Sequence, residues 1–139
     1  MPPSGTTIVA GDNWLAVLAA AAAIYSVGFM IYGLLFSGLW LRLAGYSKEQ
    51  LKPHAWKMAV SPVMPILTAI GLAILFKLAG VSNLAVGVVI AFQIWFFIAM
   101  PVRLYGFVYS PEKIGLLVMD AVHLLIGFLV AGAIIGGWR

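Results

Sequence analysis

Asp120 and His123 stand three residues apart in a stretch, Ile114 to Trp138, that otherwise holds no charged or histidine residue. On a helix, i, i+3 spacing puts both side chains on one face, close enough to hydrogen-bond. A carboxyl and an imidazole held together in an apolar setting could relay protons or hold a cation or polar solute. They could equally form a bond network that fixes helix register. The same face continues through Gly127 and Ala131, small residues that admit a neighbouring helix. The pair is therefore expected to point inward, away from lipid.

Other residues add little chemistry. His54, beside Pro53 and Trp56, reads as a solvated loop histidine. With two histidines, one of them outside the apolar segments, the three or four ligands zinc usually takes are lacking. No cysteine is present, so thiolate sites and disulfides are excluded. No nucleophile elbow, phosphate loop or dinucleotide fingerprint occurs. We therefore expect no metal, no cofactor and no enzymatic reaction.

Partners for the Asp/His pair must come from other apolar segments. Counting 1.5 Å per residue from Ile114 places Asp120 roughly 9 Å and His123 roughly 13 Å into the apolar layer. Tyr32 falls near the level of Asp120, and Gln93, at roughly 15 Å, near that of His123. Tyr25, Gly28 and Tyr32 share one face. A cluster of Asp120, His123, Tyr32 and Gln93 is the candidate intramembrane polar site.

The elements that position it follow from composition. Of 139 residues, 64% are hydrophobic and 9% charged, against roughly 45–50% and 25% in soluble domains. The basic residues, net charge +4, are too scattered to track a phosphate backbone, which excludes nucleic acid as a partner. Trp14 to Leu41 is free of charged residues for 28 positions, and Met58 to Phe76 for 19. Both fit the roughly 20 residues a bilayer-crossing helix needs. Met1 to Gly11 lacks the basic start of a secretory signal, so the first apolar segment is expected to be retained.

Asp120 does not prevent insertion of the last segment. A central Asp opposes insertion by roughly 2.5–3.5 kcal/mol, whereas each Leu, Ile, Val or Phe favours it by about 0.3–0.6. Twelve such residues lie between Leu116 and Ile135, enough for roughly 4–7 kcal/mol. The expected fold is all-α, a single membrane-spanning four-helix bundle over residues 1–139, with spans at about 14–38, 58–78, 84–103 and 114–136.

Six of the eight Lys and Arg residues, Arg42, Lys48, Lys52, Lys57, Arg103 and Lys113, fall between spans one and two or between spans three and four. The positive-inside rule then puts both longer loops in the cytoplasm and both termini outside. In the loops, Ser47-Lys48-Glu49-Gln50 fits a capping box ahead of Pro53. Ser110-Pro111 reads as an N-cap followed by a first-turn proline, starting the fourth helix. The loop basic residues are assigned to topology and anionic lipid contact. The prolines of Ser61-Pro62-Val63-Met64-Pro65 make the start of span two irregular.

The stretches Asn13-Trp14-Leu15-Ala16, Tyr32-Gly33-Leu34-Leu35-Phe36 leading to Trp40, Gly45-Tyr46-Ser47, Asp120-Ala121-Val122-His123-Leu124-Leu125, and Gly132 to Trp138 can be taken together. In them the chain resembles the bacterial domain-of-unknown-function family 1761, small membrane proteins with four predicted spans. Leu34 and Val122 stand where members often carry proline and an aromatic residue. The resemblance implies the architecture and no activity. Two functions stay open: a transporter or channel-like protein for a proton, cation or small polar solute, and a non-catalytic accessory or scaffold subunit. Either would sit in the bacterial cytoplasmic membrane, against lipid, as a homo-oligomer or beside other membrane subunits.

Overall fold

The computed structural model describes residues 13–138, and the tail Met1–Gly11, with Asp12, and Arg139 lie outside them. Every regular element among the described residues is helical. Four helices are long and apolar enough to cross a membrane: Trp14–Leu35, Trp56–Ala79, Leu84–Val108 and Ile114–Gly137. The spans read from hydropathy match these within a few residues, except at the end of the third.

That end was misread from Pro101. The helix continues through it to Val108, because the turn ahead of the proline is widened. Trp95–Ala99 is a π-helical segment in which the Met100 N–H bonds the Trp95 carbonyl, five residues back. The wide turn accommodates a ring that would clash with the carbonyl four residues back in a regular helix. A second π segment, Phe29–Leu35, closes the first span. Phe36 (φ −126°, ψ 24°) then breaks the axis, and a separate helix, Ser37–Ala44, follows. In the second span, Ser61-Pro62 separates the helices Trp56–Val60 and Val63–Ala79.

The capping box forms: Ser47 Oγ accepts from the Gln50 N–H at 3.3 Å, and Gln50 Oε1 from the Ser47 N–H at 2.8 Å. It starts a one-turn helix, Lys48–Leu51. The matching expectation for Ser110-Pro111 fails. The fourth helix begins at Ile114 with Lys113 extended before it and no side-chain cap, because Glu112 is drawn back to Arg103. Gly45 and Gly80, both at positive φ, terminate Ser37–Ala44 and the second span. The left-handed conformation there suits a residue without Cβ.

The fourth span is central. It packs closely against the third and the first, and the second leans mainly on the first. The second also touches the fourth, so the first, second and fourth spans cluster and the third stands at the edge, against the fourth. Small residues make the approaches. A Cβ at Gly132 would fall 2.6 Å from Ala91 Cβ and 2.7 Å from the Gly87 carbonyl oxygen. One at Gly136 would fall 2.8 Å from the Asn83 carbonyl oxygen. Between lipid-solvated helices such backbone contact, and not water exclusion, drives association. Ala20, Ala69, Ala91, Ala131 and Phe76 are fully buried in the core the four spans share. At its far end, Asn13 caps the first span and donates from Nδ2 to the Trp138 carbonyl at 3.0 Å.

Candidate functional site

The π segment of the first span carries Tyr32 toward the fourth, where its hydroxyl donates to Asp120 Oδ1. The other carboxylate oxygen, Oδ2, accepts from Arg103 Nε at 2.9 Å and lies 2.7 Å from Arg103 Nη2. This is a two-pronged guanidinium contact, stronger and more directional than a neutral hydrogen bond. Arg103 also reaches Glu112 Oε1 through Nη1 at 2.6 Å. The three charged side chains retain 19–24% of their exposure. Asp120 thereby joins the first, third and fourth spans.

His123 is placed one turn further along. Its ring meets Tyr32 edge-on, with centroids 5.0 Å apart. Gly28 makes room for it, since a Cβ there would lie 3.0 Å from His123 Nε2. Asp120 spends both oxygens on Tyr32 and Arg103, so the hydrogen bond expected between Asp120 and His123 is replaced by an aromatic contact through Tyr32. On its other side His123 lines a recess of about 30 Å³ with Ile24, Thr68 and Gly127, room for one or two waters. Thr68 turns its hydroxyl to the Met64 carbonyl at 3.0 Å.

Tyr32, Asp120 and His123 therefore come together, and Gln93 does not join them. Gln93 is exposed on the third span. The face of that helix toward the fourth is set by Gly87 and Ala91, both buried, and a residue two beyond Ala91 points roughly the opposite way. The rotation of the third helix is what keeps Gln93 out of the cluster. Four beyond Ala91, Trp95 faces inward, and its indole N–H donates to the Ala121 carbonyl at 3.1 Å.

Arg103 is the residue the sequence reading missed, having been assigned to topology. A signal was available. The spans on either side of Tyr109–Lys113 run antiparallel, so residues equidistant from that turn meet, and Arg103 and Asp120 are nearly equidistant.

Tyr32→Phe isolates the tyrosine's share. It removes a hydrogen bond to a charged acceptor while keeping the ring against His123, and should lower stability by about 1.5–3 kcal/mol. Denaturant titration in micelles would show it, and an unchanged midpoint would mean Arg103 alone satisfies Asp120.

Four apolar helices, three of them tied by one partly buried ionic cluster, define a multi-pass membrane protein. The family described as Protein of unknown function (DUF1761) matches residues 15–136, and the chain belongs to it. No curated protein and no solved structure matches.

Proposed function

We propose that this protein is a non-catalytic accessory or scaffold subunit of a larger assembly in the bacterial cytoplasmic membrane. The observation that carries this reading is the engagement of Asp120 through both oxygens, by Tyr32 and by a guanidinium already paired with Glu112. A charge so held fixes the mutual register of three spans, and its conservative use is structural. The edge position of the third span supports the same reading. The third span leans on one neighbour and leaves Phe96, Phe97 and Ile98 exposed, at 52%, 69% and 58%. On the positive-inside rule both basic loops face the cytoplasm.

The test is a photo-crosslinking residue at Phe97 in intact membranes. Discrete adducts at the mass of a second subunit or another protein are expected. Adducts to lipid alone, together with purification only as a single subunit, would overturn the reading.

A second reading, transport of a proton or small cation, is favoured by one feature. His123 lines the recess and packs edge-on against Tyr32, which donates to Asp120, so a chain of side-chain contacts runs from the recess to Arg103. Proteoliposome flux that is lost in both Asp120→Asn and His123→Ala would support it. Flux unchanged in those variants would remove these residues from transport.

A further inference from the structure

The break at Phe36 turns the helix Ser37–Ala44 away from the axis of the first span and opens a trough against the fourth. Its walls are Ile31, Phe36 and Leu39 on one side and Val118, Met119 and Val122 on the other, around about 220 Å³. Phe36, Leu39, Val118 and Val122 are all exposed, so the trough opens sideways. Gly115 lets the walls converge at the loop end, where a Cβ would lie 2.8 Å from Leu43 Cδ2.

Two cations stand at that end. Lys113 Nζ lies 3.5 Å from the Arg42 carbonyl oxygen, tying the residues together. Arg42 follows Leu39 by three positions and so shares its face of the helix. Both side chains are exposed. The neighbouring acid, Glu112, is occupied by Arg103 and leaves the pair positive. An apolar trough running into the bilayer from a paired positive mouth is complementary in shape and charge to one class of molecule. We infer that the trough seats an acyl chain of an anionic phospholipid whose phosphate is held between Arg42 and Lys113. Basic sites between membrane helices bind acidic headgroups in this manner.

The full chain, in a neutral-headgroup micelle, is titrated with dioleoyl phosphatidylglycerol or dioleoyl phosphatidylcholine, and retained lipid is counted by native mass spectrometry. One phosphatidylglycerol should be retained with roughly 30-fold preference, about fivefold for each basic residue. Arg42→Gln combined with Lys113→Gln should abolish the preference. Lys48→Gln with Lys57→Gln removes the same charge elsewhere and should leave it intact. Val118→Trp fills the trough from an exposed position and should reduce retention about tenfold or more. If that variant loses its monodisperse elution profile, Val122→Phe tests the same wall. Equal retention of the two lipids, or equal losses from both double variants, would overturn the proposal. So would undiminished retention in a folded trough-filling variant.

Discussion

Gly132→Leu should detach the third span from the fourth and destabilise the protein by about 3 kcal/mol or more, the upper end of what overpacking costs. The first added carbon alone would sit 2.6 Å from Ala91 Cβ and 2.7 Å from the Gly87 carbonyl oxygen. Neither neighbour is the movable tip of a flexible side chain, so relief requires separating two helix backbones. Separation breaks more than that contact, because Trp95 and Arg103 bind the fourth span from the same helix. Gly71→Ala is the control. Nothing lies within 4 Å of the position its Cβ would take, and its effect should stay within about 0.5 kcal/mol. Unfolding in mixed micelles checks both. Equal behaviour of the two variants would show that the third and fourth spans do not touch at Gly132.

Arg103→Ala should cost about 3 kcal/mol, because it leaves Asp120 with a single donor and Glu112 with none from the guanidinium. The residual exposure of these side chains places the figure at the low end for breaking a buried ion pair. Asp120→Ala should cost a similar amount. The double variant should be less damaging than the two changes added together, with a coupling of about 1.5–3 kcal/mol. Strict additivity in the same unfolding measurement would mean the two side chains act independently.

These expectations separate what could be read from the chain from what required coordinates. The four spans were legible because long uncharged runs have one physical solution in lipid, a helix with its backbone bonds satisfied internally. The meeting of Tyr32 with Asp120 followed from equal depth. Gln93 had the same warrant and failed, since depth says nothing about rotation; the small residues Gly87 and Ala91 set which face of that helix turns inward. Gly127 and Ala131 were read correctly as packing positions, yet the tightest approach is at Gly132 and Gly136, on a neighbouring stripe of the same helix. Pro101 looked like a stop, and a widened turn carried the helix past it. Arg103 was hidden by a rule that treats terminal basic residues as topology signals. The same residue type serves both purposes, and only its distance from the hairpin turn distinguishes them.

The central place of the fourth span also bears on biogenesis. Ribosomes release the chain from its amino end, so Arg103 reaches the membrane ahead of both acids it pairs with, Glu112 in the loop and Asp120 on the fourth span. Until those acids emerge, the guanidinium is held at the water boundary by snorkelling. The charge on the third segment is therefore matched in full only once the fourth span has arrived beside it.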